Sequence, residues 1–369
     1  MAVDVALLDS GDHPTRPRPP LGNAGDAADG GILEGRRMAN YLVGPWEVDE
    51  ALATGGGVPV VLRDAAALSY HVSYGAPLGD VAAAHNWVAG CATSGGAYNM
   101  TKSLANFVLR FASPSDASAV AAEMAAQSSH LLQMLGGGAW IQTRPTSIPR
   151  HSDTLAVTHG FEDGTSRVWA YTTRGPYVLC QVASSTDGTD SGTDLVARML
   201  DRQGPLIDTF TPTPIDQLAC LPIDPSGLAA RILGDPRPPV VDVGPVAYEP
   251  RAWLHFERNP LRAHALFTAA GLQMAGYGFT HVYQTRDAGS ARMIVDAFAA
   301  ELTEDGYVPA VGIAGMPEAK CLVWRDADLD ETSVFCLAVA DRYAFTVTHD
   351  NETKAHQMAV AQYLMLTSD

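Results

Sequence analysis

The sequence predicts an α+β protein of two domains, each repeating a β-α-β-β-β-α plan in which an antiparallel sheet is covered by helices. Three observations carry this reading. Asp116 to Pro149 and Asp287 to Pro317 lie 33 and 30 residues apart, Pro149 to Tyr177 and Pro317 to Tyr343 lie 28 and 26 apart, and Val168 to Tyr177 and Val334 to Tyr343 are both nine. Chance does not align all of these together. Asp163-Gly164 stands between two strand-like runs and is a strong hairpin signal. Asp235-Pro236-Arg237-Pro238-Pro239 cannot continue a helix and marks a linker. The resulting division is an extended Pro-rich arm over 1–30, an N-terminal domain over 31–234, a linker over 235–245 and a C-terminal domain over 246–369.

The elements follow in order. His13 to Pro20 carries four prolines and reads as extended chain, followed by a Gly/Ala/Asp stretch to Gly31. Helical spacing starts at Ile32 and should stop near Gly44-Pro45. Val58 to Leu62 reads as a short buried strand after the turn Gly55-Gly56-Gly57, which lacks the spacing and lysine of a phosphate loop. Leu104 to Phe111 is a strand, and Ser113-Pro114-Ser115-Asp116 opens a helix running to Ser129. Thr154 to Phe161 and Arg167 to Thr173 form the hairpin, Tyr177 to Ala183 the third strand, and a closing helix follows a polar loop. The second half repeats this order. Phe279 to Thr285 is a strand, Asp287 caps a helix over Ser290 to Leu302, and three strands run from Cys321 to Arg325, Ser333 to Val339 and Tyr343 to Thr348. Asn351 to Met365 closes as a helix.

Composition narrows the function classes. Hydrophobic residues are 47% and charged residues 18% of the 369, the balance of a folded protein. Against 24 Lys+Arg stand 41 Asp+Glu, a net charge of −17 that repels phosphate backbones and anionic headgroups, so no nucleic-acid partner is expected. Lysine occurs only at 102, 320 and 354, a bias that reads as a GC-rich genome. No run of about 18 apolar residues suggests a transmembrane segment, and Met1 to Asp12 does not read as a secretory signal.

Several segments resemble a family of actinobacterial lipoproteins of unknown function, in which an uncharacterised N-terminal domain precedes a distinct C-terminal one. They are Pro14-Thr15-Arg16-Pro17-Arg18-Pro19-Pro20-Leu21-Gly22, Gly44-Pro45-Trp46-Glu47-Val48-Asp49, Trp253-Leu254-His255-Phe256, Ala340-Asp341-Arg342-Tyr343 and Ala361-Gln362-Tyr363-Leu364. The resemblance spans almost the whole chain. It implies an extracytoplasmic, cell-envelope address and no mechanism; a lipobox cysteine is absent from this sequence. Without the resemblance, a cytoplasmic address is the alternative.

No G-x-S-x-G, H-E-x-x-H or C-x-x-C motif occurs. Ser94, before Gly95-Gly96, reads as a turn serine. His151 with Asp153, His159 with Glu162 and Asp163, and His349 with Asp350 and Glu352 have metal-ligand residue types, but neither metal nor cofactor is expected from them, because three ligands must converge. Pairing across Asp163-Gly164 puts Val157 opposite Ala170 and Leu155 opposite Thr172, with Thr158, Trp169 and Tyr171 sharing the other face. Trp169 and Tyr171 then either line a ligand pocket or pack beneath the helix 117–129. Trp46, Trp87 and Tyr74 are further pocket candidates. Cys321 and Cys336 are equidistant from the centre of the second hairpin, so opposed strands should bring them into a disulfide; two buried free thiols are the alternative. Cys180 with Cys220 is a second conceivable pair, leaving Cys91 free. The leading functional expectation is a non-catalytic envelope protein that binds a small molecule or an envelope protein, at the domain junction. An enzyme of unknown activity, hydrolysis included, and a purely structural module are the alternatives.

Overall fold

The computed structural model describes residues 3–55, 60–72, 77–133, 139–235, 244–326 and 331–368. The chain divides into two compact units. The N-terminal unit holds Ala24–Leu221 with Leu254–Leu261; the C-terminal unit holds the segment ending at Asn23, Pro222–Trp253 and the segment from Arg262 onward.

In the N-terminal unit the strands are β1 (Thr54–Gly55), β2 (Val61–Leu62), β3 (Trp87–Gly96), β4 (Lys102–Phe111), β5 (His130–Gln133), β6 (Ala139–Gln142), β7 (Arg144–Ile148), β8 (His151–Gly160), β9 (Ser166–Arg174) and β10 (Tyr177–Ser185). Its helices are α1 (Ala27–Ala39), α2 (Pro45–Val48), α3 (Ala67–His71), α4 (Leu78–Ala84), α5 (Pro114–Gln127) and α6 (Thr189–Ile207). The sheet runs β1-β3-β4-β10-β9-β8-β7, with β2 also on β3, and β5 pairs β6 apart from it. In the C-terminal unit lie β11 (Val246–Tyr248), β12 (Met274–Tyr277), β13 (Thr280–Gln284), β14 (Val308–Pro309), β15 (Lys320–Asp326), β16 (Glu331–Ala340) and β17 (Tyr343–His349). They run β11-β12-β13-β17-β16-β15-β14. The helices are α7 (Pro250–Trp253), α8 (Pro260–Ala270), α9 (Ala288–Glu304) and α10 (Glu352–Thr367).

Both sheets are antiparallel with helices on them, the α+β class the spacings predict, and their strand orders match place for place. Thr154 and Cys321 fall in corresponding strands, β8 and β15. Tight two-residue hairpins set the equivalence: Arg174 pairs with Tyr177 and Ala340 with Tyr343. The first turn residue is left-handed in each, Gly175 at φ 54° and Asp341 at φ 50°. Following the ladders outward makes Ala170 equivalent to Cys336 and Ala156 to Cys321, since Ala156 pairs Ala170 and Cys321 pairs Cys336. The edge strands also correspond. Pro145 faces Val157, and Pro309 faces Leu322, at the same ladder position.

A buried glutamine marks the same place in each unit. Gln203 of α6 accepts from Val43 N (2.8 Å) and from Asn106 Nδ2 of β4 (2.8 Å), and donates to Tyr41 O (2.8 Å). Gln362 of α10 accepts from Leu233 N (2.9 Å) and from Thr280 Oγ1 of β13 (2.5 Å), and donates to Arg231 O (2.8 Å). Asn106 and Thr280 are equivalent by register, through Gln181 and Val347. Each glutamine therefore clamps one three-residue segment to one strand, satisfying backbone groups that the fold buries.

Several expectations are corrected. The first hairpin is one residue out of the predicted register: Val157 faces Trp169 and Leu155 faces Tyr171, while Thr158 faces Val168 on the opposite side. The loop closes by Phe161 N to Thr165 O (2.7 Å), with Gly164 at φ 85°, so three residues turn rather than two. α1 begins at Ala27, capped by Asp26 on Asp29 N. Its glycines belong to the helix because a Cβ at Gly30 or Gly31 would sit 2.3 Å from Leu218 O or Val88 O. Ser94 lies inside β3, not in a turn; Gly95 permits close approach, a Cβ there falling 2.3 Å from Leu52 O. The arm is bonded to the C-terminal unit through Asp4 N to Gly315 O (2.8 Å) and Arg18 N to Ala230 O (2.9 Å). Residues 222–234, read as the end of the first domain, pack with that unit because Gln362 holds Arg231 and Leu233. Gly56-Gly57, Tyr74, most of the linker and the acidic turn before β16 lie outside the described residues.

Candidate functional site

The aromatic candidates are core residues. Trp169 and Tyr171 are 3% and 1% exposed and pack beneath α5 with Val120 and Met124. Trp169 Nε1 donates to Val72 O (3.2 Å). Tyr171 Oη lies 2.6 Å from Ser128 Oγ, which spends its proton on Met124 O (2.8 Å), so the tyrosine is the donor. Burial pushes the Tyr171 hydroxyl pKa well up. Trp46, on α2, is 5% exposed, with its ring 5.2 Å from that of His255. Trp87 meets Phe111 edge-on at 5.9 Å. Two of the acid–histidine sets come apart, with His151 Nε2 on Asp201 Oδ1 (2.8 Å) and His159 Nδ1 on Gln142 O (2.9 Å), while in the third His349 Nδ1 meets Asp350 Oδ1 (2.6 Å) as a pair.

The cysteines sort cleanly. Cys321 and Cys336 form the predicted disulfide, with Cα atoms 4.1 Å apart across β15 and β16. Cys180 and Cys220 do not pair; with Cys91 they are free. Cys91 and Cys180 are fully buried, and burial pushes both thiols far up, so they pack as small hydrophobes and not as thiolates.

A second buried feature was not read from the sequence. Glu34 of α1, with no exposure, lies 2.5 Å from both Arg110 Nη1 and Arg37 Nη1. It also accepts from Thr213 N (2.9 Å) and Thr213 Oγ1 (2.8 Å), while Arg110 Nη2 donates to Thr213 O (2.6 Å). Every carboxylate oxygen is satisfied, which is the condition for a buried charge. This cluster ties α1, β4 and residue 213 together.

The open space of interest is in the C-terminal unit. Asp287 caps α9 by accepting from Ser290 N (2.8 Å), and Ala291, Ile294, Val295 and Leu302 bury one stripe of that helix. The neighbouring stripe is left facing the chain that leads into β15. Two ion pairs bridge the gap: Arg292 to Glu318 (2.5 Å) and Asp296 to Lys320 (2.7 Å). Beyond Asp296 opens a groove of about 470 Å³ lined by Ala299, Ala300, Thr303, Pro309, Ala310, Gly312, Cys321 and Leu322. A smaller pocket of about 240 Å³ shares Asp296, Ala319 and Lys320 with it and reaches Ala338 and Asp341. The groove lies in the size range of small-ligand sites. Its one acid and one base neutralise each other, and both are about half exposed, so the pair orients more than it stabilises. The other wall residues are mostly small and apolar, with the Thr303 hydroxyl turned back onto Ala299 O (2.8 Å). None of them carries a motif, which is why the groove was not legible in the sequence.

These observations define a two-unit α+β protein, each unit a helix-covered antiparallel sheet of one strand order, the second stapled by a disulfide. The chain belongs to the family described as a domain of unknown function, DUF7373: residues 21–223 match its N-terminal part and 228–369 its C-terminal part. Comparison with curated proteins gives no match. Among solved structures, the chain is similar to the extracellular domain of PknH from Mycobacterium tuberculosis, at 16% identity and a TM-score of 0.32, over 45% of this chain and 93% of that one. Among the described residues no helix is long and apolar enough to cross a membrane.

Proposed function

We propose that this is a non-catalytic, extracytoplasmic binding protein that takes a small molecule with an apolar body in the groove between α9 and the β14–β15 edge. The observation that carries the reading is the groove itself: about 470 Å³, walled mostly by small apolar residues, with its acid and base locked in one ion pair. A catalytic site needs a group free to move a proton, and the pairing of Asp296 with Lys320 offers an anchor for a polar end of a ligand instead. The disulfide supports an oxidising compartment, and the lipoprotein-like segments support an envelope address.

The test is native mass spectrometry of the protein isolated from its own host, beside an Ala300→Trp variant whose indole fills the groove. A bound molecule present on the native chain and lost from the variant, at unchanged thermal midpoint, supports the assignment. A native chain without bound mass, or a variant that keeps it, refutes it.

A further inference from the structure

Cys321, Cys336 and His356 are the group whose donor atoms come together among the described residues: the two Sγ atoms and an imidazole nitrogen all lie within 4.8 Å of one another. His356 Nε2 is buried and has no hydrogen-bond partner. A buried polar atom left unsatisfied is uncommon in a folded protein and calls for an explanation. The duplicated architecture sharpens the point. Equating the two clamping glutamines, Gln203 and Gln362, places His356 at the position of Ala197, and the ladders place Cys321 and Cys336 at Ala156 and Ala170. The N-terminal unit thus fills the same three positions with three alanines, so the shared framework asks for nothing polar there. The C-terminal unit carries two sulfurs and an imidazole there instead.

We propose that these three residues form a redox-gated metal site, closed while the disulfide is intact and able to hold one thiophilic divalent cation, Zn²⁺ in type, once it is reduced. The chemistry balances as follows. A dithiol gives two electrons and two protons to the S–S bond and leaves as its own disulfide, yielding the Cys321 and Cys336 thiols. The cation then displaces both thiol protons to solvent and takes the neutral His356 Nε2 as third donor, with water completing four-coordination. Tetrahedral bonds of about 2.0–2.3 Å put donor atoms about 3.3–3.8 Å apart. The two strands hold the cysteine Cα atoms 4.1 Å apart, so side-chain rotation can open the sulfurs to that separation without moving the sheet. α10 is held over the sheet by Gln362, which keeps the imidazole in place. Two thiolates and an imidazole select zinc over calcium or magnesium.

The experiment uses the full chain in a Cys220→Ser background, which removes the exposed free thiol. The protein is reduced anaerobically with a phosphine, freed of reagent, and titrated with Co²⁺. A thiolate-to-cobalt charge-transfer band saturating at one equivalent and erased by Zn²⁺ is expected. The oxidised protein and the Cys321→Ser/Cys336→Ser variant should show no band, and His356→Ala should bind at least tenfold more weakly. Near-ultraviolet circular dichroism follows the fold: if reduction loosens it, Zn²⁺ must restore the signal. No band in the reduced protein, a band unaffected by His356→Ala, or a loosened fold that zinc does not restore would each overturn the assignment.

Discussion

The two units share a strand order, a tight hairpin and a glutamine clamp, yet they are strapped by different chemistry. The N-terminal unit buries an ion-pair cluster, Glu34 between Arg110 and Arg37, and faces Ala156 with Ala170 where its counterpart carries the disulfide. The C-terminal unit has Gln284 at the ladder position of Arg110, paired with Gln273 at 3.1 Å. The features common to both hold backbone groups that the fold itself buries. The straps differ in chemistry, and each unit carries its own.

Four measurements would break or sharpen this contrast. The largest effect should come from Glu34→Ala, which strands a buried Arg110 charge and should cost about 3–5 kcal/mol in denaturant unfolding followed by tryptophan fluorescence. If the loss is under about 1 kcal/mol, the cluster is no strap. Next is alkaline titration. Cys91 and Cys180 stay protonated in the folded N-terminal unit because burial raises their pKa values, while the unfolded chain ionises them normally. The folded state then binds more protons, so stability is full below the ordinary thiol range and declines as pH rises above it. At pH 10 the loss should reach about 2 kcal/mol per thiol, and Cys91→Ala/Cys180→Ala should flatten the profile. A pH-independent midpoint up to pH 10 would contradict the burial of both thiols.

Gln203→Ala and Gln362→Ala test the shared element. Each exposes no surface but leaves two or three buried groups unpaired, so each should cost about 2–3 kcal/mol, and by similar amounts. A large loss in one and none in the other would mean the clamp is not an equivalent device. The smallest effect is expected from moving the strap across. Ala156→Cys/Ala170→Cys should close a new cross-strand disulfide on oxidation, seen as a mass loss of two hydrogen atoms, and raise stability by about 1 kcal/mol, since introduced bonds deliver less than chain entropy allows.

The sequence carried the repeat wherever spacing is set locally. The nine-residue interval from Val168 to Tyr177 and from Val334 to Tyr343 is a strand plus a two-residue turn, and such turns leave no slack. The same logic located the disulfide, because Cys321 and Cys336 sit symmetrically about their hairpin. The first hairpin was misread by one residue, since Asp163-Gly164 fits both a two-residue turn and the last part of a three-residue one. What remained hidden was set by distant partners. Residues 231–233 are placed by Gln362, about 130 positions away, and the glycines of α1 and β3 look like loop until the backbone that crosses them is known. The groove was hidden for a related reason, because alanines and glycines become a surface only when α9 and β15 are brought together.

Each sheet ends on a strand whose proline stands at the same ladder position, Pro145 in β7 and Pro309 in β14. A proline has no amide hydrogen to offer a neighbouring chain, so an incoming strand cannot extend the ladder through that point. With β14 only two residues long, this edge of each sheet is guarded against an added strand. Two open sheets in one chain give a crowded protein twice the opportunity to polymerise, and the same residue type blocks one edge of each.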